Sequence, residues 1–339
     1  MSRPLPSVEH VGDGVWSIPV PIPESAIGWI FVYALVGDDG VWLVDAGWDR
    51  PESRGALEAG LAEASVELAD VTGILVTHVH ADHYGLAGWV REESDCWIGM
   101  HPADAAHIRD RYQDPTDLLE KGDRWLRSAG VPEDTVATLR DASLRVLANV
   151  HAVIPDRDLR DGQVLDSPIG EVRVVHTPGH TPGHLCFDLP SHGAVFTGDH
   201  LLQRITPIVG WHPQSDPDPL GDYLGSLDRI VDLAAPRALP GHVHAFGEPA
   251  ERARELAGVH AIGLDRVVGA LEEGAETAWD VARAAHAARW DDLADFNRRL
   301  AVADACGKLV RLEGEGRVDV DRDGTPWRYA AATAGSATG

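Results

Sequence analysis

Apolar positions along the chain fall into short runs separated by turn residues. Gly28 to Val36 is a near-continuous apolar run rich in β-branched and aromatic side chains. Asp38-Asp39-Gly40 turns the chain, and Val41 to Asp45 resumes the run, which predicts a hairpin. Between Pro51 and Ala69, Leu57, Leu61 and Ala64 recur at helical spacing. Ile74-Leu75-Val76 then reads as a buried strand within Val71 to Thr77. Strands alternating with helices imply a layered α/β domain. From about Pro102 to Asp161 the chain is charged and helical in pattern, with amphipathic segments around Leu118-Leu119 and Trp125-Leu126. This stretch reads as an insertion that covers a site and sets its specificity.

A second strand block follows: Val172 to Val175, Leu185 to Asp188 and Ala194 to Phe196. A helix is predicted from Asp218 to Leu233, and a short strand ends at Pro240. The character changes after about Glu248. Leu264, Val267, Val268 and Leu271 mark one helix face, a second helix runs from about Thr277 to Ala288, and a third carries Leu293, Phe296 and Leu300. Val318 and Val320, then Trp327 and Tyr329, alternate about the turn Asp323-Gly324 and predict a hairpin. The expected organisation is a catalytic domain over 1–250 with an insertion at about 102–161, a winged-helix-like module over 251–332, and a disordered tail at 333–339.

Composition narrows the function classes. Hydrophobic residues are 44% of the 339, ordinary for a globular chain. Lys and Arg number 29 against 54 Asp and Glu, a formal charge of -25 that opposes binding to phosphate backbones or anionic lipid. The would-be recognition segment of the C-terminal module, Trp290 to Leu300, carries Asp291, Asp292 and Asp295, the wrong sign for nucleic acid. A packing, homodimer or pocket-wall role is expected of the module instead. No apolar stretch is long enough to span a membrane. The first residues lack the apolar core of an export signal, and Cys96, Cys186 and Cys306 are scattered without a pairing motif, so a cytoplasmic protein is expected.

The histidines carry the chemistry, being concentrated between His78 and His244. Directly after the Ile74-Leu75-Val76 strand comes Thr77-His78-Val79-His80-Ala81-Asp82-His83. Three imidazoles and a carboxylate in so short a span would be costly to bury unpaired, whereas a metal satisfies them together. Alternation sends His78 and His80 one way and leaves Asp82 and His83 for a neighbouring position, which suits two metals. Further clusters follow at three other predicted strand ends: His176-Thr177-Pro178-Gly179-His180-Thr181-Pro182-Gly183-His184, Gly198-Asp199-His200, and Gly241-His242-Val243-His244.

With these motifs on the page the sequence resembles the metallo-β-lactamase-fold hydrolase superfamily. His78 to His83 match its HxHxDH signature, and His180, Asp199 and His242 match its later ligand motifs in order. The resemblance implies a four-layer αββα sandwich with a dinuclear site. His78, His80 and His180 would hold one metal, Asp82, His83 and His242 the second, and Asp199 would bridge them. Asp45 and His176 would support the site structurally, and Asp82 and His83 would also be catalytic. The C-terminal module narrows the resemblance to a β-lactamase-like subgroup that includes thioesterases of polyketide pathways and an endoribonuclease. Asp199 stands where true β-lactamases carry Cys or Ser, which argues against antibiotic hydrolysis.

The expected chemistry is hydrolysis of a carboxyl-type bond (thioester, lactone or ester) by a hydroxide bridging two divalent ions. Zinc suits the ligands best, and manganese or iron is compatible with them. The expected substrate is a small molecule or an acyl group on an acyl-carrier or coenzyme-A-type thiol. Trp211, His212 and His244 are expected to touch it, with Trp89 as a further pocket aromatic. His184 and His200 read as turn or supporting residues, Tyr84 as structural and Cys186 as core. The alternative is a metal-dependent phosphodiesterase or endoribonuclease, opposed by the net charge and by the lack of a Lys/Arg cluster near any motif. A third class is an iron-dependent sulfur dioxygenase or a non-catalytic ligand-binding module; the resemblance gives the former a mononuclear site and no winged helix, and the full ligand set opposes the latter.

Overall fold

The computed structural model describes residues 4–23, 27–147 and 149–332; the expected tail at 333–339 lies outside the described residues. One sheet contains β1 (Glu9–Gly12), β2 (Val15–Pro21), β3 (Trp29–Gly37), β4 (Gly40–Val44), β5 (Val71–Leu75), β6 (Trp97–Met100) and β7 (Arg157–Asp158), side by side in that order. The first four strands form an antiparallel meander, and β4 to β7 run parallel. The other sheet contains β8 (Val164–Ser167), β9 (Gly170–His176), β10 (Leu185–Leu189), β11 (Ala194–Gly198), β12 (Arg237–Pro240) and β13 (Phe246–Gly247), likewise in sequence order.

The central strands of both sheets are buried on both faces, which explains why β3, β4, β10 and β11 read as continuous apolar runs. Along β3, Phe31, Tyr33 and Leu35 point into a core shared with Val174, Leu185, Phe187 and Phe196 of the opposite sheet. The intervening Ile30, Val32 and Ala34 point outward into a second core. Helices α1 (Pro51–Glu63), α2 (Ala81–Tyr84) and α3 (Ala87–Ser94) contribute Leu57, Leu61, Tyr84 and Val90 to that outer core. In the second sheet Val175, Cys186 and Val195 face a third core. The sequence of layers is therefore helix, sheet, sheet, helix.

The expected insertion supplies α4 (Pro102–Ala105), a wide turn at Arg109–Gln113, α5 (Thr116–Ser128) and α6 (Glu133–Leu147). The second sheet is backed by α7 (Pro219–Leu233) and α8 (Pro249–Glu272). The chain closes with α9 (Ala278–Ala285), α10 (Asp295–Gly314) and the hairpin of β14 (Val318–Asp321) and β15 (Arg328–Ala331). This is the expected order of three helices and a hairpin. The third core runs without interruption from β10 through Leu227 of α7 and Leu256 of α8 to Val302 and Leu309 of α10, and takes in Trp125 and Leu139 of α5 and α6. The insertion and the C-terminal module thus pack on each other above one edge of the two sheets.

Three element boundaries differ from expectation. Helix α1 stops at Glu63, not near Ala69, because Ser65 takes a left-handed φ of 62°. Leu68–Asp70 then forms one 3-10 turn, in which the Asp70 carboxylate accepts from the Glu67 N–H at 2.8 Å. Helix α9 ends at Ala285 instead of Ala288. In the segment from Trp290 to Leu300, Trp290–Asp292 is a separate 3-10 turn whose buried indole packs edge-on against Trp279 at 4.9 Å.

Candidate metal centre and its cavity

The histidine motifs all leave strand ends at one edge of the sandwich. Asp45 follows β4, Thr77 and His78 follow β5, Asp199 follows β11 and His242 follows β12. His180 sits on the loop after β9. Gly179 holds that loop in a conformation with φ 128°, packed so closely on Tyr223 that a Cβ would lie 2.5 Å from its Cα. Only glycine meets both requirements.

Donor atoms from these loops converge. His78, His80 and His180 form one group whose ligand atoms lie within 4.8 Å of one another; Asp82, His83 and His242 form a second, and His78, His83 and Asp199 a third. In the first, Nδ1 of His80 is 2.9 Å from His78 Nε2 and 3.0 Å from His180 Nε2. In the second, Oδ2 of Asp82 is 3.1 Å from His242 Nε2 and 3.8 Å from His83 Nε2. Asp199 reaches both. Its Oδ1 is 3.4 Å from the Nε2 atoms of His83 and His242, and its Oδ2 is 3.6 Å from His180 Nε2.

The rear of the cluster fixes the tautomers. Nδ1–H of His83 donates to Asp45 Oδ2 at 2.7 Å, that of His242 to the Trp29 carbonyl at 3.0 Å, and that of His180 to the Ile208 carbonyl at 2.9 Å. Nδ1 of His78 meets Thr77 Oγ1 at 3.0 Å. Each of these four rings therefore turns its Nε2 to the centre, the arrangement that outer partners impose on metal-binding imidazoles. Asp45 has a left-handed φ of 62° and also accepts the Thr77 N–H at 2.8 Å, tying the β4 end to the β5 end. His184 donates to Thr177 Oγ1 (2.9 Å) and accepts the Asp199 N–H (3.3 Å), so it holds the Asp199 backbone in place.

Within the protein these donors are underused. The Nε2 atoms of His83 and His242 and Oδ1 of Asp199 are buried without a hydrogen-bond partner. Three such orphans facing one another would be expensive unless a cation satisfied them, so the donor set fits divalent metal. The metal-free electrostatics agree. Burial would depress His83, but the nearby Asp45, Asp199 and Asp82 carboxylates together hold it well above the usual histidine range. His242 is raised against burial by Asp199 and Asp82. Asp199 lies well below the ordinary carboxylate range because His242 and His83 outweigh its burial. His78 and His80 go the other way. Burial, then the crowding imidazoles His83 and His180 respectively, keep them well below the usual value and hence neutral.

One supporting residue was not anticipated. Asp104, fully buried at the start of α4, accepts the Val79 N–H (2.9 Å), the Thr181 hydroxyl (2.8 Å) and the Gly183 N–H (2.6 Å). It therefore ties the loop of His78 and His80 to the loop of His180. In the sequence it is indistinguishable from an ordinary acidic residue in a helical first turn. Tyr112 adds a second tie, donating to the Val79 carbonyl at 2.6 Å.

The cluster forms one end of a cavity of about 300 Å³ reached by His80, Asp82, His180, Asp199 and His242. Its walls are mostly apolar. Leu118, Leu119 and Leu126 come from α5, Phe296 and Leu300 from α10, and Ile205 and Ile208 from the loop after β11. His212 lines it as expected. Trp211 does not; it packs on Trp327, with ring centroids 6.1 Å apart. His244 is exposed, its ring against Phe31 at 5.8 Å, outside the cavity. Trp89 is buried in the outer core with Arg54 5.0 Å over its ring, so the expectation of a pocket aromatic there is wrong. His176 stacks on His101 at 4.1 Å and donates to the Pro182 carbonyl at 2.9 Å, which braces the turn before His184 without reaching the donor cluster. Tyr84 is tied to Val153, accepting its N–H at 2.7 Å, and is structural. The expectation that no cationic cluster lies near the motifs is also corrected: Arg111 and Arg299, distant in sequence, both line the cavity.

The sequence profile of the metallo-beta-lactamase superfamily matches residues 28–242. A protein from Bacillus subtilis described as a probable metallo-hydrolase, YqjP, is 31% identical over 245 residues, covering 70% of this chain and 72% of that one. The human acyl-coenzyme A thioesterase MBLAC2 is 26% identical over 264 residues, covering 74% of this chain and 84% of that one. Among solved structures, the metallo-beta-lactamase family protein TTHA1429 from Thermus thermophilus superposes with a TM-score of 0.83 at 33% identity, covering 95% of this chain and all (100%) of the other.

Proposed function

Since the chain belongs to the metallo-beta-lactamase superfamily and is a metal-dependent hydrolase, we propose that it holds two divalent ions, most suitably zinc, and hydrolyses acyl thioesters of the coenzyme A type. The observation that carries the reading is the apolar cavity that opens directly onto the donor cluster. A cavity of that size and lining suits an acyl chain. The name of the human relative points to the same substrate class.

His78, His80 and His180 would hold one ion and Asp82, His83 and His242 the other, with Asp199 reaching both. When bound, such ions bring the pKa of water down toward ~7 and polarise the carbonyl under attack. The chain's own residues do the rest. Asp45 fixes the His83 ring, and Asp104 and His184 keep the loops of His80, His180 and Asp199 in register. The walls formed by α5 and α10 exclude water from the acyl group. Asp82 also lines the cavity, so it would act in the reaction beside the ion it helps to hold.

The leaving group favours a thioester over an oxygen ester. The tyrosines around the site are committed: Tyr112 donates to Val79, Tyr33 to Pro240 and Tyr223 to His200, and Tyr84 is tied to Val153 with its hydroxyl pushed up to about 12 by burial. None is placed to protonate a departing alkoxide. A thiol has a pKa near ~8.5 and departs as thiolate without such help.

The test is a substrate panel assayed with metal-replete protein: acyl-coenzyme A thioesters of several chain lengths, matched oxygen esters and lactones, and a fluorescent single-stranded RNA. Turnover of the thioesters, lost in Asp82→Ala together with bound metal, is expected. Preferential cleavage of the RNA would overturn the reading in favour of phosphodiester chemistry.

A further inference from the structure

Many cationic side chains of this acidic protein form ion pairs. Arg127 pairs with Glu133, Arg317 with Asp265 and Arg322 with Glu313. In the cavity itself Arg140 is taken by Asp123 and Asp141. Arg111 and Arg299 are exceptions. Both line the cavity, both are part-buried, and neither forms an ion pair among the described residues. Arg111 comes from the turn after α4, and Arg299 from α10 with its guanidinium 5.2 Å over the Trp125 ring.

Their fields overlap. Burial and then Arg111 lower the Arg299 guanidinium to about 10. His212, which lines the same cavity, is held well below the usual histidine range by burial and then by both arginines. The nearby buried carboxylate, Asp104, is occupied on both oxygens by Val79, Thr181 and Gly183. Two guanidiniums lining one partly desolvated cavity repel each other and cost stability unless an anion joins them. Guanidinium is also the side chain best shaped to grip a carboxylate or phosphate through paired N–H donors.

We propose that Arg111 and Arg299 form an oxyanion subsite that binds a carboxylate or phosphate carried by the substrate, while its thioester lies at the donor cluster. The inference rests on the thioester reading above and sharpens it. The hydrolysed molecule is an acyl thioester with a second anionic group, either on the acyl chain or on the thiol carrier. The subsite is built by the two segments added to the sandwich, the insertion and the C-terminal module, which gives those segments a role in selecting substrate.

The experiment compares three thioesters on the metal-replete protein. They are hexanoyl-N-acetylcysteamine (uncharged), adipoyl-N-acetylcysteamine (a carboxylate at the acyl end) and hexanoyl-coenzyme A (phosphates on the carrier). The wild type is expected to favour one anionic substrate over the uncharged one through KM. Arg299→Gln and Arg111→Gln should each reduce that preference about 10- to 100-fold, the scale of one charge-assisted contact. Arg299→Lys should restore part of it. Preference for the adipoyl ester assigns the oxyanion to the acyl group, and preference for the coenzyme A ester assigns it to the carrier.

No preference in the wild type, or equal loss on charged and uncharged substrates in both glutamine variants, overturns the subsite. If no thioester is turned over at all, the functional reading fails while the subsite can still be judged by calorimetry. Adipate against hexanoate, each offering one carboxylate to the metals, and coenzyme A against pantetheine then report the second anion directly. Tighter binding of adipate or of coenzyme A that disappears in Arg111→Gln and Arg299→Gln supports the subsite, and equal binding within each pair rejects it.

Discussion

At the scale of single residues, the site depends on side chains that never reach the centre. His83 is useful as a donor only while Asp45 takes its Nδ1 proton at 2.7 Å. Asp45→Asn should therefore lower metal affinity about 10- to 100-fold with little change in the acyl-chain preference. Competition with a chromophoric chelator measures this; an unchanged affinity would remove Asp45 from the account. The same carboxylates set the pH behaviour. In the metal-free chain the surrounding carboxylates raise His83 and His242 above their ordinary value of 6.5, so both hold a proton to higher pH than a free imidazole. Metal requires the bare Nε2, so binding should release protons and weaken as pH falls. Proton release is read by calorimetry in buffers of different ionisation enthalpy. The linkage also has a sign in stability. The imidazolium–carboxylate pairs support the metal-free fold fully below about 6.5 and are lost as pH rises through the raised values, while Asp82 and Asp199 stay ionised throughout. The metal-free protein should thus lose melting temperature on going from neutral to alkaline pH, and flat melting over that range would contradict the assignment.

At the scale of elements, the cluster of candidate donors was legible because such chemistry demands rare residues at strand ends. Three imidazoles and a carboxylate in His78 to His83 announce themselves without any structure. Asp104 was illegible for the opposite reason. A lone aspartate in a helical first turn is commonplace, and its role comes only from the loops that fold over it. Trp89 and Trp211 misled because an aromatic near a motif in sequence is not near it in space. Trp89 lies on the buried face of α3, and Trp211 turns toward the β14–β15 hairpin and Trp327. Asp104→Leu removes an acceptor from two backbone N–H groups and one hydroxyl in a buried setting. It should cost upward of ~3 kcal/mol and detach the His180 loop from the His80 loop. Chemical denaturation checks the first point, and a loss within ~1 kcal/mol of wild type would show that the loops are held by other means.

At the scale of the molecule, the layered fold was readable from continuous apolar strands, and shifts in pattern set apart the 102–161 stretch and the C-terminal helices and hairpin. What could not be read was that these two segments pack on each other and close the cavity. Arg111 and Arg299 stand 188 positions apart in number (299 − 111) and line one cavity only because α10 packs against the insertion. The resulting division of labour is plain. The two sheets deliver seven donors to one edge, and the added helices decide what may approach them. Everything at this scale rests on the donors acting together around metal. The most direct measurement is the number of divalent ions bound per chain, determined by elemental analysis of protein purified from metal-replete medium and repeated on Asp199→Ala. The account predicts two ions per wild-type chain and fewer than two in the variant, because Asp199 alone reaches both donor groups. A wild-type chain that holds none, or a variant that retains the full complement, would contradict it.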